Sequence, residues 1–292
     1  MTSEVMADAR PAPHDGAMAV TVPRRNPAPP AAGVGELLRE WRAARRLSQL
    51  DLALEADVSP RHLSCVETGK SRPSREVLGR LADALDMPLR ERNALLLAAG
   101  FAPRFRETGL DAPDLAQVRR AIDFILRQQE PYPAFVLNRR WDILMANEAA
   151  LRVNRFVLGR DSRHANMIRQ IFDPGDLRPH VANWEEVAGE LLRHLQDEVA
   201  AAPSDPAARA LLDEALAYPG VPGRWRLRDL NAAPAPLLGA VLRRGDDQLA
   251  FFSTITTFGT PRDVTIDELH IECCFPVDEA TAALCRRLAE AG

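Results

Sequence analysis

Apolar residues recur at three- and four-residue spacings from Val34 onward, so that Val34, Leu37, Leu38 and Trp41 share one helical face. The same period predicts five helices between Val34 and Phe101. Residues 1–32, with "RPAP" and "VPRRNPAPPAAG", show no such period and predict a flexible, Pro/Ala-rich tail. A linker containing "FAPRFRETGLDAPD" follows the helices, and a further helix is expected near Leu115 to Gln129. There the period changes from 3.6 to two. "PAFVLNRRWDILMAN" puts Phe135 and Leu137, then Trp141, Ile143 and Met145, on one parity, predicting two strands joined by a tight turn at Asn138 to Arg140. Helical segments are expected near Glu148 to Leu158, Asn166 to Phe172, Trp184 to Val199 and Pro206 to Ala217. Strands return in "APLLGAVLRRGDDQLAFFSTITTFG", with "RRGDD" as hairpin turn, and in "DELHIECCF", which turns Leu269, Ile271, Cys273 and Phe275 inward. A helix in "VDEATAALCRRLAEAG" closes the chain. The pattern divides into a tail (1–32), an all-helical domain (33–103), a linker (104–116) and an α+β domain with an antiparallel sheet (117–292).

Local signals sharpen the second and third helices. Ser48 and Asp51, three apart, form a capping box. Asp57 occupies the turn position that favours positive φ, which aspartate tolerates at some strain. Ser59 is the N-cap of the next helix, Pro60 its first residue and Gly69 its terminator. Leu63 and Val66 then point to the core, leaving Arg61, His62, Ser64 and Cys65 toward solvent. One helix that braces and a second that presents its first turns outward make the helix-turn-helix layout, in which the second helix enters the major groove of DNA.

Composition narrows the field. The 292 residues are 46% hydrophobic and 27% charged, ordinary globular values with length enough for two domains. No apolar run approaches a membrane span, and the N-terminus lacks the basic and apolar regions of a secretory signal, so a cytoplasmic protein is expected. Lys+Arg number 12 against 10 Asp+Glu between Val34 and Arg104, but 22 against 28 from Phe105 to the end. A mildly basic module is joined to an acidic one, and a net charge of -4 leaves room for a local phosphate-binding face. The four cysteines include no CxxC pair and the six histidines no HExxH spacing, so neither a disulfide framework nor a metal site is expected. No nucleophile, base and orienting group stand together, so no catalytic residues and no enzymatic activity are expected.

The string "LSQLDLALEADVSPRHLSCVETGKSRPS" resembles the lambda-repressor-like domain of the xenobiotic response element family. That resemblance implies phosphate contacts from Gln49, Lys70 and Arg72. It further implies a base-reading surface of Arg61, His62, Ser64 and Cys65 on a helix that starts at Ser59, with Arg61 suited to guanine O6/N7. More specifically, "GKSRPSREVLGRLADALDMPLRERNALLLAAGFAP", "LRPHVANWEEVAGELL", "TTFGTPRDVTIDELHIE" and "FPVDEATAALCRRL" resemble the MmyB-like regulators. What this implies is a five-helix DNA-binding domain followed by an α+β PAS-like domain that takes a small apolar ligand, with a long-chain fatty acid as the favoured class and no further cofactor. A helix-turn-helix monomer contacts few bases, so a homodimer on an operator of two half-sites is expected.

Residues alone leave the pocket open. Phe135, Leu137, Trp141, Ile143, Met145, Phe156, Met167, Ile171, Phe172, Trp184, Phe252 and Ile271 are candidate walls, and equally an ordinary sheet-on-helix core. Arg178, His180, Asn183 and Asn147 are the polar groups nearby. Arg178 could clamp a carboxylate, cap the preceding helix or pair with an acid. A second domain that binds a protein partner and no ligand is the other reading that the residues allow.

Overall fold

The computed structural model describes residues 33–221, 223, 225 and 239–291; the expected tail and the start of the strand before Gly239 lie outside them. Helices α1 (Val34–Ala44), α2 (Gln49–Glu55), α3 (Pro60–Glu67), α4 (Arg75–Ala84) and α5 (Leu89–Ala98) enclose a core that includes Leu38, Trp41, Leu52, Leu63, Leu81 and Leu95. Ser48, Ser59 and Ser74 cap α2, α3 and α4, and Ser48 forms the expected box with Asp51. All five helices end on a left-handed residue: Arg46, Asp57, Gly69, Asp86 and Gly100. Behind α3, Lys70 N–H reaches Cys65 O (2.8 Å) and Gly69 N–H reaches Val66 O (3.0 Å), a Schellman closure. Asp57 takes the strained position that the sequence predicts; Arg46 and Asp86 use the same device without a sequence signal.

The second domain runs α6 (Ala116–Gln128), β1 (Ala134–Leu137), β2 (Ile143–Ala146), α7 (Glu148–Leu158), α8 (Met167–Phe172), α9 (Trp184–Ala201), α10 (Pro206–Ala217), β3 (Gly239–Arg244), β4 (Asp247–Thr257), α11 (Val264–Asp267), β5 (His270–Pro276) and α12 (Glu279–Ala291). The strands form one antiparallel sheet in the order β2-β1-β5-β4-β3. Its outer face carries Ala134, Val136, Met145, Ile271 and Cys273 against Ile122 and Leu126 of α6. Its inner face carries Phe135, Leu137 and Ile143 against α8, α9 and α10, and Leu249 and Phe251 against α7 and α12.

The parity expected for β2 is corrected here. Val136 pairs with Met145 but Leu137 with Ile143, so Leu144 is an extra residue, a β-bulge. Ile143 therefore stays on the inner face with Leu137 while Met145 turns outward. Simple alternation assigned both to one side.

The segment expected as linker is built into both domains. Asn93 of α5 holds it by donating to Phe105 O (2.7 Å) and accepting from Arg104 N (2.9 Å) and Phe105 N (3.0 Å). Further along, Arg106 O accepts from Val264 N (2.8 Å), and Thr108 N donates to Asp263 Oδ1 (3.3 Å). Ala202, at the end of α9, packs into the core of the five-helix domain.

Candidate DNA-binding face and ligand-binding layer

The outer side of α3 is assembled from caps and core contacts. Leu63 and Val66 are fully buried, which leaves Arg61 exposed and His62, Ser64 and Cys65 half-buried around it. Lys70 and Arg72 follow on the exposed turn. Ser59 accepts from His62 N (3.2 Å), so its hydroxyl holds the helix start. Gln49 Nε2 donates to Glu67 Oε2 (2.9 Å), committing that amide within the fold. Glu67 itself was missed by helical periodicity. It is 4% exposed and grips Arg42 with both carboxylate oxygens (2.8 and 3.0 Å), tying α1 to α3. Nearby, a Cβ on Gly35 would sit 2.4 Å from Glu67 O, so only glycine permits this approach.

A second group of charges lies where the domains meet. Arg139, in the β1–β2 turn and 9% exposed, has carboxylates around it from Glu91 of α5 (3.6 Å), Glu198 of α9 (3.5 Å), Asp205 at the start of α10 (3.7 Å) and Glu268 behind α11 (3.8 Å). None of its three nitrogens has a hydrogen-bond partner. Burial raises the pKa of Glu91 and of Glu198, and the Arg139 charge pulls both back down. Beside this cage Arg90 spans Glu268 (2.6 and 2.9 Å) and Glu107 (2.7 and 3.0 Å). Asp267 accepts from Leu89 N (3.0 Å), the first amide of α5.

The candidate ligand residues do not form one set. Phe135, Leu137, Trp141, Ile143, Met167, Ile171, Phe172 and Trp184 gather in the inner apolar layer. Met145 and Ile271 lie on the outer face, Phe156 of α7 packs against the cluster formed with β4 and α12, and Phe252 stacks on Phe275 at 5.5 Å. Asn147 caps α7 and bonds Ala134 N, Tyr132 O and Leu126 O, so its polar atoms are used. Asn183 is similarly spent on Gly239 O (2.7 Å) and Val241 N (3.0 Å). His180 has its Nδ1 at 3.2 Å from Arg243 O. Arg178 is different: its guanidinium lies 3.9 Å over the Trp184 ring, and its buried Nη1 has no hydrogen-bond partner among the described residues. It borders an open cleft of about 430 Å³ lined by Pro174, Pro179, Trp184, Pro219 and Gly220. A Cβ on Gly220 would come within 2.8 Å of Arg178 Nη2, so the glycine makes room for the guanidinium. Sequence reasoning passed over His194, His270, Glu272 and Ile255, which meet on or above the inner face. Alternation in "HIECC" was the available signal, but attention went to its apolar parity.

The four cysteines are free, with Cys273 on the outer face and Cys274 on the inner. Among the described residues no group of His, Cys, Asp and Glu is placed to hold a metal ion, and no helix is long and apolar enough to cross a membrane.

Comparison with known families agrees with this geometry. Residues 34–95 match the model of a helix-turn-helix domain. Residues 118–288 match that of the MmyB-like transcription regulator ligand binding domain. Over 60 residues, 20% of this chain, the sequence is 33% identical to multiprotein-bridging factor 1 of Debaryomyces hansenii, and it spans 40% of that relative's length. With α1 to α5 forming a helix-turn-helix unit and the larger part of the chain matching the ligand-binding module, this protein belongs to the MmyB-like transcription regulators, a helix-turn-helix domain joined to a ligand-binding domain.

Proposed function

We propose that the protein works in the cytoplasm as a one-component regulator that binds a duplex operator as a homodimer. Occupancy of its second domain by a long-chain fatty acid changes that binding. In this reading Arg61, His62, Ser64 and Cys65 face base edges in the major groove, while Lys70, Arg72 and the amides near Gln49 and Ser59 meet phosphate.

The ligand class is supported by one observation above others, the buried and unpartnered Nη1 of Arg178 at a cleft floored by Trp184. A carboxylate there would satisfy an orphan donor that proteins seldom leave unpaired. The acyl chain would run from Trp184 toward Phe172, which touches it edge-on with ring centroids 5.8 Å apart. Mass spectrometry of gently purified, then denatured, protein is expected to release a fatty acid from the wild type and little from Arg178→Gln. Dodecanoate added to delipidated protein is expected to change its operator affinity. A clean spectrum together with an unchanged affinity would sink the ligand reading and favour a protein-binding second domain.

A further inference from the structure

The β1–β2 turn is held more firmly than a hairpin needs. Asn138 Oδ1 accepts from Arg140 N (2.9 Å) and Asp142 N (3.0 Å), Trp141 N donates to Asn138 O (2.9 Å), and Met167 N donates to Trp141 O (2.8 Å). Those bonds keep Trp141 at φ 62°, a costly conformation for a bulky side chain. The product of that strain is the position of the indole. It is 6% exposed, stacked on His194 of α9 at 6.1 Å and edge-on to His270 of β5 at 5.5 Å.

Two polar atoms of these touching rings, Trp141 Nε1 and His270 Nε2, are buried and have no hydrogen-bond partner among the described residues. A buried donor or acceptor left alone is destabilising, and folded proteins rarely leave even one. Neither belongs to the Arg178 cleft. The rings face the inner side of the sheet, where Phe135 pairs with Glu272 and Glu272 with Ile255. That region is incompletely covered: Ile255 is 51% exposed, and His270, Glu272 and Cys274 on the central strand are only half-buried. A strand flanked by partners on both sides normally buries its inner residues, so this stretch of the central strand stands open.

The imidazole of His270 in this open stretch is neutral. Burial pushes the His270 pKa down to about 4, with His194 adding to the effect, so the ring is uncharged near neutrality. Glu272 lies beside it on the same face, and desolvation raises its pKa against the opposing effects of a hydrogen bond from Ser253 and of the His194 charge. A ligand carboxylate placed here would meet another carboxyl group and an uncharged imidazole. A hydroxyl meets no such penalty: it accepts from the Trp141 Nε1–H and, on either tautomer of His270, donates to or accepts from Nε2.

We propose that Trp141 Nε1 and His270 Nε2 form a subsite for a neutral hydroxyl group, so that the preferred ligand is an apolar chain bearing a hydroxyl along its length. The inference rests on the second domain binding an acyl ligand, and it names a feature of that ligand which the Arg178 cleft does not. Titration calorimetry on delipidated full-length protein tests it, with dodecanoate and a series of monohydroxylated dodecanoates as probes. One hydroxyl position is expected to bind about tenfold tighter than dodecanoate, the increment of one well-placed buried hydrogen bond. Trp141→Phe and His270→Phe, which keep a ring, are expected to erase that preference, so that each variant binds the hydroxylated chains no tighter than dodecanoate. In a proton–nitrogen spectrum the Trp141 indole signal, identified by its loss in Trp141→Phe, should move with the favoured hydroxylated chain and not with dodecanoate. Because this signal is read on the wild type, it stands even where His270→Phe fails to fold. Dodecanoate binding without any hydroxyl preference overturns the subsite and leaves the pocket intact. Failure of every probe to bind overturns the pocket and the subsite together.

Discussion

The helices of the DNA-binding domain are secured in two different ways. From α2 to α4 the caps are internal, since Ser48, Ser59 and Ser74 cap their own helices, and Arg42 and Glu67 close a bidentate pair that ties α1 to α3. The last helix, α5, has Pro88 at its N-cap with no side-chain hydrogen bond of its own. The Asp267 carboxylate that satisfies its first amide and the Glu268 that binds Arg90 both come from the second domain. Its Glu91 faces Arg139, also of that domain. Helix α3 is thus capped from within its own domain, whereas α5 is capped and paired by the ligand-binding domain. The β1–β2 turn meets α5 directly, because Arg139 of that turn faces Glu91 at 3.6 Å.

The contrast can be broken most forcefully at Glu67. Glu67→Ala leaves Arg42 and the Gln49 amide without their shared acceptor in a largely buried place, and a loss of about 3–5 kcal/mol is expected. Thermal unfolding should show it as a large fall in the midpoint of the DNA-binding domain, with the second domain little changed. A small effect spread over both domains would mean that the first domain is not self-contained.

Arg139→Ala probes the other side, with an expected loss of about 3 kcal/mol at neutral pH. The carboxyls that face one another there are Glu91, Glu198, Asp205 and Glu268, with Asp197 and Glu107 close by and Arg90 and Arg140 as the remaining cations. Glu91 and Glu198 have raised pKa values when the domains are together. Their contribution to docking is therefore present at pH values below the ordinary carboxylate range and lost as pH rises through the raised values. Removing Arg139 pushes both higher still, so the defect should shrink as pH falls. Chemical denaturation followed from neutral to mildly acidic pH checks this, and a defect independent of pH would show that the cage does not titrate.

Caps give the finest comparison, about 1 kcal/mol each. Ser59→Ala should accelerate amide hydrogen exchange at the start of α3 and nowhere else. Asp267→Ala should do so at the start of α5, a helix in the other domain. Equal responses at both helices from either substitution would erase the distinction.

Much of the first domain was legible because its signals are local. The Ser48–Asp51 box, the Asp57 turn, the Ser59–Pro60 start and the Gly69 stop each need only a few neighbouring residues. Glu67 was not legible, since an exposed-looking glutamate becomes buried only when Arg42 arrives from another helix. In the second domain the strands were found by alternation, yet the bulge at Leu144 sent Met145 to the opposite face. Asn147 and Asn183 looked like ligand groups until backbone partners distant in sequence claimed them.

The sequence by itself determined the period of each element, where the helices of the reading unit begin and end, and the order of a helical domain before an α+β one. These follow from side-chain size, backbone preference and capping, all of which act over a few residues. Only the tertiary structure decided that 104–116 is a clasp, that α5 is capped from outside its own domain, and that Trp141, His194 and His270 meet. Those depend on pairings across as many as 178 positions of chain, as between Leu89 and Asp267. Hydrogen-bond acceptors and buried charges are fixed by what surrounds them in space, and periodicity along one segment carries no information about that.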